Sequence, residues 1–147
     1  MKLTGLSDDY AIFGFIFSLS NRIQTLIDKE CEYITMKQQF MMIALSMCDH
    51  APSLKEMADL IGCSYQNIKR MSETLQKEGY LNIVQDTKDK RKQLLVSTGK
   101  MEQIVNIESD KRQAFMSKLF ENISNEDLFT TLKTLMKMDH NIGGTVE

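Results

Sequence analysis

Apolar residues recur at helical spacing near the start of the chain. Ile12, Ile16, Leu19, Ile23 and Leu26 lie three or four positions apart, which predicts an amphipathic helix of about five turns or more. Additional phenylalanine and isoleucine residues widen this stripe beyond what one neighbouring helix needs. The pattern therefore predicts a first helix with apolar surface to spare.

A second helix has a start signal in the sequence. Thr35 followed by Gln38 makes a capping box, in which each side chain can bond to the other residue's backbone N–H. The apolar residues that follow on one face are Met36, Phe40, Ile43 and Met47. We expect Ala51-Pro52 to end this helix, because proline lacks the N–H donor and biases the preceding residue away from helical geometry.

Two short helices are predicted next. Ser53 with Glu56 caps the first and Gly62 ends it, while Ser64 caps the second and Gly79 ends it. The inner face of the first carries Leu54, Met57, Ala58 and Ile61, and that of the second carries Ile68, Met71 and Leu75.

A charged hairpin follows these helices. Two apolar runs, residues 81–84 and 94–96, flank a loop dense in lysine and arginine, which predicts a β-hairpin. Two short helices and a charged hairpin in this order predict a winged helix-turn-helix, a unit that holds one helix against the edges of base pairs.

The rest of the chain is predicted to be helical. A long helix is expected after Gly99, with a stripe that residues 108–112 interrupt; its apolar members are Met101, Ile104, Val105, Phe115, Leu119 and Phe120. Ser124 with Asp127 predicts a capping box for a last helix. That helix carries Leu128, Leu132, Leu135, Met138 and Ile142.

Composition agrees with a mainly helical domain and adds a charge asymmetry. In 147 residues there are one proline and seven glycines, too few for the many turns of an all-β sandwich. The net charge is −2, but residues 64–100 hold eight basic and four acidic side chains, a net +4, against −6 elsewhere. A basic patch on an acidic body suits a DNA-binding face, although charge runs are also common on solvated surfaces.

The cysteines and the apolar segments argue against a disulfide-bonded, zinc-binding or membrane-spanning protein. Cys31, Cys48 and Cys63 are odd in number and widely spaced, which indicates reduced thiols in a cytoplasmic protein rather than a disulfide framework or a zinc pattern. The apolar run at residues 11–19 is too short to span a bilayer, so no membrane partner is expected.

With these motifs in place, the chain resembles the MarR family of winged-helix transcriptional regulators over nearly its whole length. The resemblance rests on Leu54-x-x-Met57-Ala58-x-x-Ile61-Gly62-x-Ser64, Asn67-Ile68-Lys69-Arg70-Met71, Leu75-x-x-x-Gly79-Tyr80-Leu81, Asp86-x-Lys88-Asp89-Lys90-Arg91 and Val96-Ser97-Thr98-Gly99. Two positions depart from the family pattern. Lys88 stands where the family often has arginine, which loses the planar guanidinium, and Val96-Ser97 replaces the usual Leu-Thr.

The terminal helices carry more apolar surface than a small winged domain can cover, which favours a homodimer; a single monomeric bundle of these helices is the alternative. Residues 1–34 and 100–147 would form a helical dimerisation region, and residues 35–99 a winged helix-turn-helix inserted between them. The resemblance implies a small apolar or aromatic effector bound between the two regions. The sequence leaves the existence of that ligand open. The eleven methionines could line an adaptable pocket, but core filling is the favoured interpretation.

Outward positions of the second short helix and the wing are the candidate DNA contacts. Asparagine and glutamine can bond adenine bidentately, arginine can bond guanine, and tyrosine can reach a phosphate or a thymine methyl group. Arg91 at the hairpin tip is a candidate for the minor groove, and a salt bridge to Asp89 is its alternative. The DNA-binding residues we predict are Ser64, Tyr65, Gln66, Asn67, Lys69, Arg70, Thr74, Lys88, Lys90 and Arg91.

The predicted function is a sequence-specific DNA-binding regulator, a repressor in preference to an activator, released by a small effector. The alternative is a winged-helix module that contacts protein instead of DNA. No catalytic motif is recognisable, and two isolated histidines, His50 and His140, do not suggest a metal site, so we expect no enzyme activity, metal or cofactor. Thiol sensing is disfavoured, since acidic neighbours of Cys31 would raise its pKa.

Overall fold

The computed structural model describes residues 5–30, 34–107 and 109–144. The chain divides into two compact units, residues 1–40 and 41–147. The predicted fold class is confirmed: the structure is mainly α-helical with one two-stranded antiparallel hairpin. The predicted division into a dimerisation region and an inserted winged domain stays a prediction.

Four helices precede the hairpin, and the second, third and fourth begin directly after the capping residues that the sequence predicts. In chain order they are α1 (Asp8–Glu30), α2 (Met36–Ser46), α3 (Leu54–Ile61) and α4 (Tyr65–Lys77). At the start of α2, the Thr35 N–H donates to Gln38 Oε1 at 2.9 Å and the Gln38 N–H donates to Thr35 Oγ1 at 3.3 Å, which confirms the capping box. Asp28 adds a second cap, since its Oδ1 accepts from the Met36 N–H at 2.6 Å.

One predicted helix end is wrong. Helix α2 ends at Ser46, well before Pro52, so the proline does not terminate it. Pro52 instead contacts the hairpin, since its carbonyl accepts a hydrogen bond from the Leu95 N–H at 2.9 Å. Next to it, Ser53 forms an isolated β-bridge with Leu94. The segment before α3 thus lies against the second strand of the hairpin through one bridge and one backbone hydrogen bond.

The hairpin and the helices after it follow the predicted order. Strands β1 (Leu81–Gln85) and β2 (Gln93–Ser97) pair antiparallel, each slightly longer than its predicted apolar run. Helices α5 (Gly99–Ile107) and α6 (Ser109–Leu119) follow, and Glu108 between them lies outside the described residues, so the predicted single long helix is not tested. Helix α7 spans Asn125–Asn141.

The last predicted capping box forms in part. The Ser124 hydroxyl accepts from the Asp127 N–H at 3.1 Å, as predicted. The Asp127 carboxylate accepts from the Ser124 hydroxyl at 2.6 Å. Aspartate is one methylene shorter than glutamate, which explains why it bonds to the hydroxyl here. Ile142, predicted as an apolar member of α7, lies just past its end and is exposed.

Among the described residues, the fully buried apolar side chains lie in the second unit, and several of them are methionines. Met41, Met42 and Met57 are fully buried, and Met101 is nearly so. Unbranched thioether side chains can fill irregular gaps, so these four residues act as core filler, as predicted. The interpretation is wrong for Met47, which is 78% exposed. Among the described residues, no helix combines the length and the apolar character needed to cross a membrane.

The apolar residues of α1, α6 and α7 contrast with this core. In α6 and α7, whose residues are all described, none is buried. In α1, Phe13 and Phe17 form an edge-to-face pair with ring centroids 5.1 Å apart, yet both remain about three-fifths exposed. In α7, Phe129 and Leu132 are also mostly exposed.

The capping box of α3 makes stability depend on pH. The backbone N–H of Ser53, which donates to Glu56 Oε2 at 2.6 Å, is the main cause that lowers the pKa of Glu56 from its usual 4.5. The Ser53 hydroxyl and the positive charge of Lys92 contribute in the same direction. Because the pKa is lower in the folded chain than in the unfolded chain, the stabilisation is complete above pH 4.5 and is lost as the pH falls through the folded value.

We therefore predict that Glu56→Gln lowers the free energy of unfolding near neutral pH but not in acid. Glutamine keeps an acceptor oxygen but has no charge to lose. Urea unfolding of both proteins from neutral pH to well below 4.5 tests this, and other carboxylates cancel in the difference. A difference that stays constant over the whole range would contradict the assignment.

Two buried serines are predicted to respond in opposite directions to alanine. Ser72 in α4 is fully buried, and its Oγ has no hydrogen-bond partner among the described residues, so Ser72→Ala should raise the free energy of unfolding by about 1 kcal/mol. Ser53 is also buried, at 6% exposure, but caps α3, so Ser53→Ala should lower the free energy of unfolding by about 1 kcal/mol. Urea titration measures both; destabilisation by Ser72→Ala would mean that the hydroxyl is satisfied in solution.

Candidate nucleic-acid interface

Helix α4 is held by a cap at its start and by an apolar inner face. Ser64 adopts extended geometry and its side chain accepts from the Asn67 N–H at 3.3 Å. Ile68 and Leu75 are fully buried on the inner face, as predicted, whereas Met71 is only half-buried. Ser72 completes the buried set and was missed, because serine carries no hydrophobic signal.

The outer face of α4 is exposed along its length. Every predicted DNA-binding position on this helix and at its cap is solvent-accessible: Ser64, Tyr65, Gln66, Asn67, Lys69, Arg70 and Thr74. Two of the hydroxyls are already engaged, since Ser64 caps the helix and Thr74 Oγ1 donates to the Arg70 carbonyl at 3.1 Å. The amide and basic side chains of this face are therefore its principal groups for an external partner.

The loop between β1 and β2, residues 86–92, is ordered by two aspartates. Asp86 Oδ1 accepts from the Lys88 N–H at 2.7 Å, and Asp89 Oδ1 accepts from the Arg91 N–H at 3.1 Å. The loop is closed by the Asp86 N–H, which donates to the Lys92 carbonyl at 3.0 Å. Aspartate favours such turns because its short side chain can bond to the backbone two residues on. The cationic tip, hereafter the wing, thus has a defined shape.

The cations of the wing project into solvent. Lys88, Lys90 and Arg91 are all exposed, and the Arg91 side chain is 91% accessible. Arg91 Nε also lies 3.2 Å from Asp89 Oδ1, so the alternative interpretation of Arg91 as a salt-bridge partner is present in the structure. The Arg91 backbone N–H and then its side chain lower the pKa of Asp89. Only Nε is used in this pair, which leaves the terminal guanidinium donors for another acceptor.

The wing and α4 are fixed to each other through β1. Gln76, on the last turn of α4, accepts from the Ile83 N–H through its Oε1 at 2.5 Å. Leu81 on β1 and Leu95 on β2 are fully buried. Because these contacts lie within the second compact unit, the polar face of α4 and the cationic wing are parts of one ordered surface element.

The structure gives no support to a reactive thiol at Cys48. Its Sγ lies 3.3 Å from the Ala44 carbonyl, and burial is the main cause that raises its pKa, with Asp49 and Glu56 adding to the effect. A raised pKa reduces the thiolate fraction and therefore the nucleophilicity. Cys63 is a half-buried free thiol, and Cys31 lies outside the described residues. Nor do the described residues contain a group of three metal-ligating side chains.

Known structures resemble this one closely. No family model matches the sequence, and no curated protein does. The MarR protein from Peptoclostridium difficile has a TM-score of 0.82 at 20% identity, covering 97% of this chain and 92% of that one. A MarR/EmrR family regulator from Acinetobacter has a TM-score of 0.81 at 17% identity, covering 93% and 98%.

A third structure, BpsR from Bordetella bronchiseptica, has a TM-score of 0.73 at 18% identity, covering 86% of this chain and 91% of that one. Identities in this range establish the fold. The order of capped helices, the wing and the flanking helices agrees with that likeness over nearly the full length. The chain therefore has the winged-helix fold of the MarR-family transcriptional regulators.

Proposed function

We propose that this protein is a sequence-specific DNA-binding transcriptional regulator. The observation that carries the proposal is the surface formed by the exposed polar face of α4 and the cationic wing, which the same compact unit holds together. Residues 64–100 carry a net +4 on a chain of net −2, so the basic charge is concentrated on this element. Likeness in fold to MarR-family regulators supports the same conclusion.

In this proposal α4 is the recognition helix. Gln66 and Asn67 lie in its first turn, the end that enters the major groove in helix-turn-helix proteins, and their amides suit adenine. Lys69 and Arg70 extend the contacts to guanine or to phosphates. Arg91 at the wing contacts the minor groove or the neighbouring backbone through the guanidinium donors that Asp89 leaves unused.

A homodimer is the proposed active form. Helices α1 and α7 each expose large apolar side chains, such as Phe13, Phe17 and Phe129, and burial of apolar surface is worth roughly 25 cal/mol per Å². A second copy of the chain would cover such surface in a two-fold arrangement. Two recognition helices about 34 Å apart would then match half-sites one DNA turn apart on a pseudo-palindrome.

Repression and release by an effector complete the proposal. A dimer bound across a duplex excludes other proteins from that site, which favours repression. The BpsR structure concerns regulation of DNA binding by 6-hydroxynicotinic acid. We propose a small apolar or aromatic effector for this chain as well. Such a ligand would act through its different affinities for the DNA-competent and the released arrangements.

Salt dependence separates DNA binding from protein binding. Binding of random duplex in a mobility-shift assay should weaken steeply as salt rises, because phosphate contacts release counterions. A winged helix that contacts only protein would show weak binding that barely depends on salt. That result would contradict the proposed function.

Two substitutions are predicted to have different effects on DNA binding, one on affinity and the other on sequence preference. Arg91→Ala should weaken binding to all sequences to a similar extent, whereas Asn67→Ala should relax the preference at one base position at a cost of about 1–3 kcal/mol. Lys37→Ala on α2, outside the proposed DNA and dimer surfaces, is the charge-matched control for Arg91→Ala and should have little effect. Affinities for cognate and mismatched duplexes check the prediction, and equal losses on every duplex from both substitutions would contradict these roles.

A further inference from the structure

The end of the recognition helix is tied to the segment that follows the wing. Three successive carbonyls, those of Glu78, Gly79 and Tyr80, accept hydrogen bonds from Thr98 or Lys100. These contacts join residues about twenty positions apart in the chain, on opposite sides of the hairpin. We call this group of contacts, formed by Thr98 and Lys100 on residues 78–80, the clasp.

Lys100 supplies the charged part of the clasp. Its Nζ donates to the Glu78 carbonyl at 2.6 Å and lies 4.5 Å from the centroid of the Tyr80 ring. Tyr80 is only 5% exposed, so its ring is a fixed platform. An ammonium group over an aromatic face is attracted by the ring quadrupole. The Lys100 side chain is exposed overall, but its ammonium group is therefore held in place by the Glu78 carbonyl and the Tyr80 ring.

Thr98 supplies the second part. Its hydroxyl lies 2.7 Å from the Gly79 carbonyl and 2.9 Å from the Tyr80 carbonyl, and its N–H donates to the Tyr80 carbonyl at 3.1 Å. The Thr98 carbonyl in turn accepts from the Met101 N–H at 3.0 Å. Thr98, directly before α5, thus bonds both to the first turn of that helix and to the turn that ends α4.

Helix α4 does not need the clasp in order to end. The Gly79 N–H already donates to the Gln76 carbonyl and the Tyr80 N–H to the Leu75 carbonyl, both at 2.9 Å, and Gly79 has the left-handed φ of 81° typical of helix ends. The bonds from Thr98 and Lys100 use the carbonyls beyond this local cap. What they add is a connection between two elements.

We propose that Thr98 and Lys100 are positioning residues for DNA recognition, an inference that rests on the function proposed above. They fix the C-terminal end of α4 to the first turn of α5. The thirteen residues of α4 make a helix about 20 Å long, so a tilt of about 10° at this end would move the first turn by about 3 Å. A shift of that size breaks hydrogen bonds to base edges, whose length range is about 0.5 Å.

Paired substitutions test the clasp. Thr98→Val removes the hydroxyl without changing the charge, whereas Thr98→Ser keeps the hydroxyl. Lys100→Met removes the charge but keeps the apolar stem, whereas Lys100→Arg keeps the charge. We expect Thr98→Val and Lys100→Met to weaken binding to a duplex selected from a random pool by about tenfold, equivalent to 1.4 kcal/mol, and binding to random duplex by less than about twofold. Thr98→Ser and Lys100→Arg should recover most of the loss.

The salt slope separates positioning from direct contact. Lys37→Met on α2 removes one exposed charge outside the proposed DNA surface; it is the matched control and should leave both affinities unchanged. If Lys100 touched a phosphate, Lys100→Met would weaken both duplexes alike and reduce the salt slope by about one. That result, or lower stability with unchanged specificity, would overturn the positioning role.

Amide hydrogen exchange tests the clasp without DNA. Thr98→Val and Lys100→Met should speed exchange at the Thr98 N–H, which donates to the Tyr80 carbonyl within the clasp, and leave Ile68 in the middle of α4 unchanged. Unaltered exchange at Thr98 would overturn the clasp itself. If the wild-type chain bound no DNA while this exchange result held, the proposed function would fail and the connection between α4 and α5 would stand.

Discussion

The architecture depends on how α4 is held from beneath. Ile68 and Leu75 are fully buried on one side of this helix, and Ser64 caps its start. Full burial of such apolar side chains contributes roughly 1.5–3 kcal/mol each, far more than any single polar contact on the surface. Since packing and the cap hold the helix, the side chains of its outer face are not needed for stability. That face can therefore carry amide and basic groups for a partner.

The wing depends on the same core, because the strands on either side of it are packed there. Leu81 and Leu95 anchor the two strands in the core, and the Leu95 N–H bonds to the Pro52 carbonyl ahead of α3. The loop between the strands can therefore be dense in lysine and arginine without loss of order, because Asp86 and Asp89 shape it through local hydrogen bonds. The positively charged side chains of the wing, which repel one another, therefore project into solvent from a loop of defined shape.

The local parts of this fold were predictable from the sequence, and the long-range parts were not. The capping boxes at Thr35 and Ser53 and the ends at Gly62 and Gly79 each depend on a few neighbouring residues, so their signatures are visible in one chain. The Pro52 contact with Leu95 joins positions far apart, and a proline suggested only a helix end. Such pairings depend on tertiary geometry, which leaves no mark on local spacing.

The candidate site shows the same division. Exposure of the predicted α4 and wing positions follows from helical periodicity and loop composition, and the structure confirms it. The link from Lys100 to the Glu78 carbonyl and the Tyr80 ring was not predicted, because a lysine after a wing has no distinctive signal. Its importance emerges only when the end of α4 and the start of α5 are seen side by side.

Selection of bound sequences from a random duplex pool tests the central claim most directly, namely that paired α4 helices read a duplex. Paired α4 helices should enrich an inverted repeat whose half-sites are centred about one helical turn apart. Recovery of no common sequence, or of a single half-site without symmetry, would contradict it.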